Sequence, residues 1–253
     1  MFKHIIYLKY NMITIELQGG LGNQLFQLAF LDYICQTNDS QPFLYQDTRI
    51  TTHSNVNYLD RICSEWKHLY KQLPIDHIIE ERNPYIVKSG LNTKFIGYFQ
   101  NYKFILSSFI SKLNFNTNIL SKYPNIQNNI FIHIRGGDYL HPDHSWLHNT
   151  TTDTYYQNAI SLFPNAKFVV FTNDIQYVKS KPFLNNYPII EENEIDSLFL
   201  MSKCAGGICA NSTFSWWGAY LNRNRQLILP SKWFNDSSDT SGYYFESCTI
   251  VEV

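Results

Sequence analysis

Short apolar runs of strand length recur along the chain at 12–17, 94–99, 130–135, 167–172, 208–210 and 226–229, with helix-length segments between them. Alternation of this kind predicts parallel sheets joined by crossover helices, the α/β class. Helical patterns lie at 25–34, at 153–162 with Thr152 or Asp153 as its cap, and at 195–204, where Leu198, Met201 and Ser202 fall on overlapping faces. An asparagine-rich stretch at 114–129 carrying Pro124 breaks the periodicity. A polar, proline-containing interruption is where a chain passes between domains, so the expected division is 1–122 and 123–253. Met12 stands directly before the first strand, and 1–11 therefore reads as an extension or an upstream start. No internal repeat is present.

Three strand ends carry residues suited to an anion. After the apolar run 208–210 come Asn211, Ser212 and Thr213, then Phe214, Trp216 and Trp217. Asn211 and Ser212 are good N-cap residues, and a helix opened there points free N–H donors and a partial positive charge at the strand end, which suits a phosphate. The alternative is an aromatic core helix following a buried strand. At 131–139 an alternating strand emerges at Arg135, followed by Gly136, Gly137 and Asp138. The planar donor fork of arginine matches phosphate oxygens, and glycines let backbone approach a ligand; a surface Arg135–Asp138 pair is the competing reading. The turn Gly19, Gly20, Leu21, Gly22, Asn23, Gln24 also follows a strand and precedes a helix, without the G-x-G-x-x-G spacing of dinucleotide sites.

Composition narrows the classes. At 253 residues the chain can bury a sizeable core. A net charge of −1 gives no broad basic field for nucleic acid or an anionic membrane. Aromatic residues at 16% leave Trp and Tyr available to line a sugar or base site. The five cysteines, Cys35, Cys63, Cys204, Cys209 and Cys248, are odd in number and form no C-x-x-C pair, as expected in a reducing compartment. No apolar run approaches the roughly 20 residues of a membrane span, and no signal-type core opens the chain, so the expectation is a bacterial or viral cytoplasmic protein with at most peripheral membrane association. His141, His144 and His148 with Asp143 have metal-like spacing. In a proline-containing loop with no helix to align them they read as solvent or substrate contacts, and no metal site is assigned.

Taken together the motifs resemble glycosyltransferase family 11, the α-1,2-fucosyltransferases. The matching pieces are GGLGNQLFQLAF at 19–30, GYFQNYKF at 97–104, HIRGGDY at 133–139, FTND at 171–174, DSLFLMSKC at 196–204 and ANSTFSWWGAYLN at 210–222, in the family's order. One departure stands out: Gly136 occupies the place where the family usually carries a second Arg. The resemblance implies a GT-B fold, two Rossmann-like domains with mostly parallel sheets facing across a cleft, the acceptor on the N-terminal half and the nucleotide sugar on the C-terminal half. The implied reaction is attack of a galactoside 2-hydroxyl on C1 of GDP-β-L-fucose with inversion, in a cell-surface or O-antigen-type glycan.

By the same resemblance Arg135 contacts the β-phosphate, and Asn211, Ser212 and Thr213 complete the cradle. Gly20, Gly22, Asn23 and Gln24 approach the phosphate or fucose, while His133, Asn173 and Asp174 belong to the guanine and ribose, with Phe214 flanking the base. Trp216 and Trp217 read as core or cleft wall. None of the twelve aspartates forms a D-x-D pair of the kind that holds a metal on a diphosphate, so Arg135 and the helix start carry that charge and no cofactor is expected. Asp138 is the first candidate for general base, orientation of Arg135 being its other role; Asp143, His144 and Glu16 also remain candidates. Alternatives are another donor sugar on the same scaffold, a non-catalytic carbohydrate-binding homologue, and a dehydrogenase using Asp39 or Asp47, which lacks its fingerprint here.

Overall fold

A computed structural model describes residues 11–45, 58–83 and 85–253. The chain divides into two compact units, Met1–Asn114 and Phe115–Val253. The division falls at the start of the asparagine-rich stretch, ahead of the expected boundary at 122/123. Of the expected extension at 1–11, residues 1–10 lie outside the described residues, as does Asp47. Asn11 belongs to the fold, because its carbonyl accepts from Gln41 N (2.9 Å) and its side chain from Gly90 N (2.6 Å).

The first unit holds a parallel sheet in the order β2-β1-β4-β3, with β1 at Met12–Ile15, β2 at Gln41–Pro42, β3 at His77–Glu80 and β4 at Thr93–Ile96. Helix α1, Leu21–Thr37, is apolar nearly all round and buried along most of its length, which is why it forms the centre of the unit rather than an amphipathic surface helix. It begins at Leu21 instead of Leu25, so Gly22, Asn23 and Gln24 are its first turn. This unit also holds the short helices α2, Leu59–Ile62, and α3, Ser107–Ile110.

The second unit is a parallel sheet in the order β6-β5-β7-β8-β9: β5 Asn129–Ile134, β6 Lys167–Thr172, β7 Gly206–Ile208, β8 Gln226–Pro230 and β9 Cys248–Val251. Its helices are α4 Pro142–His148, α5 Asp153–Ser161, α6 Ile175–Lys179, α7 Glu194–Lys203 and α8 Thr213–Tyr220. Thr152 caps α5, accepting from Tyr155 N at 3.1 Å as its sequence suggests. Strand β5 is buried from Ile130 to Ile134, as a central strand covered on both faces must be. Strand β7 runs two residues earlier than its apolar pattern indicates. A Cβ on Gly206 would lie 2.6 Å from Gln226 O, and one on Gly207 2.0 Å from Phe131 Cε1, so the glycines here answer to crowding inside a sheet and not to a turn. Trp216 and Trp217 are fully buried; Trp216 stacks on Tyr220 at 4.8 Å and donates its indole N–H to Tyr243 O at 2.6 Å. Among the described residues no helix is long and apolar enough to cross a membrane.

Candidate functional site

Strand β5 delivers His133 and Arg135 to its carboxyl end, the side of an open parallel sheet where ligands bind. His133 is 2% exposed, with Nδ1 lacking a hydrogen-bond partner among the described residues. Burial, and then the charge of Arg135, lower its pKa from the ordinary 6.5 to about 3, so the imidazole is neutral. Phe214, in the first turn of α8, lies 5.5 Å from it, ring centre to ring centre. Arg135 donates from Nη2 to both oxygens of Asp138 (2.8 and 2.9 Å) and covers the ring of Tyr139 at 4.9 Å. Its Nε is buried and has no partner among the described residues. A buried donor on a cation costs free energy unless an acceptor meets it, and a phosphate oxygen is such an acceptor.

The turn from β7 into α8 differs from its expected form. Ser212 is the N-cap residue, yet its side chain makes no cap hydrogen bond. Asn211 does not cap either, because its amide is drawn inward. Nδ2 donates to His148 O (2.7 Å) and Trp233 O (2.8 Å), and Oδ1 is buried without a partner among the described residues. Tyr139 OH donates to Asn211 O at 3.3 Å. Asn211 therefore ties the α8 turn to the end of α4 and to the segment after β8, and the first turn of α8 faces the strand end with no Ser212 or Asn211 oxygen across it. Burial pushes the Tyr139 hydroxyl up to about 12, which keeps it a neutral donor.

Asn173 and Asp174 follow β6 and face the glycines after Arg135. Gly136 N donates to Asn173 Oδ1 (2.9 Å), and Asn173 Nδ2 donates back to Gly136 O (3.3 Å). Gly137 N donates to Asp174 Oδ2 (3.1 Å), while Asp174 Oδ1 caps α6 by accepting from Tyr177 N (2.9 Å). Gly136 is not in the left-handed region; a Cβ there would lie 2.7 Å from Asp174 Cβ and 3.0 Å from Tyr177 Cδ1, so crowding explains the absent side chain. Gly137, at φ +58°, has the backbone conformation that favours glycine.

The histidine segment is helical, correcting its reading as a loop. Pro142 opens α4, and His141 accepts from Asp143 N at 3.4 Å. His148 is committed to packing, stacked on Tyr139 at 4.6 Å and edge-on to Phe234 at 5.4 Å. Among the described residues no three His, Cys, Asp or Glu side chains gather as a metal site. Of the candidate bases, Asp138 is engaged by Arg135, Glu16 pairs with Lys94, and Asp143 is an exposed neighbour of His141 at 3.4 Å.

In the first unit the polar side chains of the glycine turn are engaged by neighbours in the same unit. Gly19, at φ +76°, makes the turn, and Gly20 precedes α1. Gln24 is buried, donating Nε2 to Gly19 O (2.9 Å) and accepting from Tyr58 N (3.3 Å). Asn23 Oδ1 accepts from Gln100 Nε2 at 2.9 Å. Two ties escaped the sequence reading. Gln27 accepts from Gln18 N and donates to Gly97 O, both at 3.0 Å, and Glu81 accepts from Tyr98 N (2.8 Å) and Phe99 N (2.7 Å). Glu81 lies in an unpatterned polar stretch, so no periodicity marks it.

The profile of "Glycosyl transferase family 11" matches residues 102–246, which include β5, Arg135, Asn173 and α8. An Escherichia coli alpha-1,2-colitosyltransferase is 27% identical over 274 aligned positions, covering 88% of this chain and 93% of that protein. The E. coli O-antigen biosynthesis glycosyltransferase WbnK is 37% identical over 120 residues, 42% of this chain and 39% of its own length. Among solved structures, the NodZ alpha-1,6-fucosyltransferase soaked with GDP-fucose superposes with a TM-score of 0.52 at 12% identity, over 85% of this chain and 91% of that one. The dodecameric glycosyltransferase TibC of enterotoxigenic E. coli gives 0.51 at 11%, over 95% and 62%. These likenesses speak for the fold, two parallel α/β units of GT-B type. With the family profile spanning more than half of its length, the chain belongs to glycosyl transferase family 11 and is a glycosyltransferase.

Proposed function

We propose that the enzyme transfers L-fucose, or a closely related deoxy sugar, from its GDP-linked form to the 2-hydroxyl of a galactoside in an O-antigen or other cell-surface glycan. The observation that carries this reading is the buried Nε of Arg135 at the carboxyl end of β5, which has no partner among the described residues. In the reaction the acceptor oxygen bonds to C1 of the sugar, the bond from C1 to the diphosphate oxygen breaks, and GDP leaves with the electron pair. The hydroxyl proton passes to a base. Because the transition state separates an oxocarbenium-like sugar from the diphosphate, stabilising the departing charge is the largest task. Arg135 and the first turn of α8, with Ser212 and Thr213, perform it and supply the charge a bound metal would otherwise bring. His133, neutral and buried beside Phe214, serves the base end of the nucleotide. Asp138 orients Arg135 and is the first choice for the proton acceptor.

The name of the near full-length relative, a colitosyltransferase, favours a second donor, GDP-colitose, on the same machinery. The five cysteines are all unpaired, which supports a cytoplasmic site of action. Nucleotide release measured with GDP-fucose, GDP-colitose, GDP-mannose and dTDP-rhamnose, each with a β-galactoside acceptor, tests the proposal. Turnover with GDP-fucose or GDP-colitose and an α-1,2 linkage in the product support it. Turnover confined to dTDP-rhamnose or GDP-mannose overturns it.

A further inference from the structure

Resting on the reading of Arg135 as the diphosphate ligand, we propose that Asn173 is a positioning residue that sets the geometry of Arg135 and Asp138 by clamping the backbone between them. The parallel ladder of β5 and β6 ends at Ile134 opposite Thr172. Beyond it the main chain leaves the sheet, and a loop there would be free to choose where its arginine points. Asn173 prevents this by engaging both polar groups of Gly136 with one amide, accepting from its N–H and donating to its carbonyl. That reciprocal pair does with a side chain what the ladder did with backbone. Asp174 adds a third bond, to Gly137 N, and is itself anchored as the cap of α6. The turn carrying both residues is fixed as well, since Asp174 N donates to Thr172 Oγ1 at 2.9 Å and that hydroxyl donates to Asp174 O at 3.2 Å.

The clamp and the glycines form a matched set. A Cβ on Gly136 would drive into Asp174, and one on Gly137 would lie 2.9 Å from Asn173 Nδ2. Where the family pattern has a second Arg, this chain has a bare backbone gripped from β6, and Arg135 and Asp138 are its two flanks. An amide is required for this grip. Aspartate keeps the acceptor for Gly136 N but sets an oxygen against Gly136 O; alanine removes both bonds. Asn173 is an exposed residue, so neither change opens a cavity.

The test is a double-mutant cycle on kcat/KM for the GDP-sugar, with Asn173→Asp and Asn173→Ala each made alone and in an Arg135→Ala background. Each single variant is expected to lose about tenfold or more, and each should cost less than about twofold once Arg135 is absent, because its effect runs through that side chain. Full multiplicative loss in the double variants, as a direct nucleotide contact or a general folding defect would give, overturns the proposal. So does near-normal turnover of Asn173→Ala. If instead Arg135→Ala itself turns over normally, the diphosphate assignment is what fails, and the two failures are told apart.

Discussion

The two glycine-bearing strand ends of this protein look alike in sequence and do opposite things with their polar side chains. At Gly19–Gln24 the amides of Gln24 and Gln27 are satisfied at both ends, by the turn itself, by Gln18 and Tyr58, and by Gly97. At Arg135–Asp138 and the neighbouring α8 turn, three buried polar atoms have no partner among the described residues: His133 Nδ1, Arg135 Nε and Asn211 Oδ1. Satisfied amides hold a backbone, whereas an unsatisfied buried group leaves hydrogen bonding for water or a ligand to complete. On the proposed function the second turn is the one that meets the diphosphate, and the contrast is what mutation of the two turns can test.

The strongest way to break the contrast is at Arg135. Arg135→Ala is expected to lose on the order of 10²-fold or more in kcat/KM, with Arg135→Lys intermediate because it keeps the charge but not the planar fork. Near-normal steady-state rates in folded Arg135→Ala would erase the distinction between the two turns.

Gln24→Leu attacks the other side. It removes the Gln24 amide that meets Gly19 O, at a cost of about 1–3 kcal/mol, so thermal unfolding should shift down by roughly 3–10 °C while donor KM changes less than about threefold. An unchanged melting temperature with lost donor affinity would make Gln24 a ligand.

His133 gives a pH signature. Its folded pKa, about 3, lies below the ordinary 6.5, so the unfolded chain takes up a proton that the native state refuses. Stability is full above about pH 6.5 and is lost as pH falls toward 3; by pH 4.5 wild type should lose roughly 2–3 kcal/mol more than His133→Asn. Urea midpoints at pH 7.5 and 4.5 measure it, and equal losses would place the imidazole in water. The smallest effect expected is that of chelation: EDTA should change GDP affinity less than about twofold, and a fall beyond tenfold would put a metal on the diphosphate.

Much of this was legible in the chain. The central strands read correctly because burial on both faces leaves apolar runs, and the α8 start and the buried tryptophans followed from residue type. The edge strands β2, β3 and β9 did not, since His77–Glu80 and Cys248–Val251 are half exposed and carry no apolar alternation, and Gln41–Pro42 is two residues long. Side-chain direction was the harder part. Asn211 fits a helix cap by type, yet tertiary carbonyls at His148 and Trp233 outbid the local N–H groups. The tie between Asn173 and Gly136, 37 positions apart, is one that nothing local reveals.

Calorimetric titration of GDP into wild type and Arg135→Ala tests the central claim most directly. If the Arg135 guanidinium of the second unit is the phosphate ligand, the variant should bind GDP at least about 30-fold more weakly, roughly 2 kcal/mol, with its melting temperature little changed. Equal affinity in the two proteins would contradict the assignment.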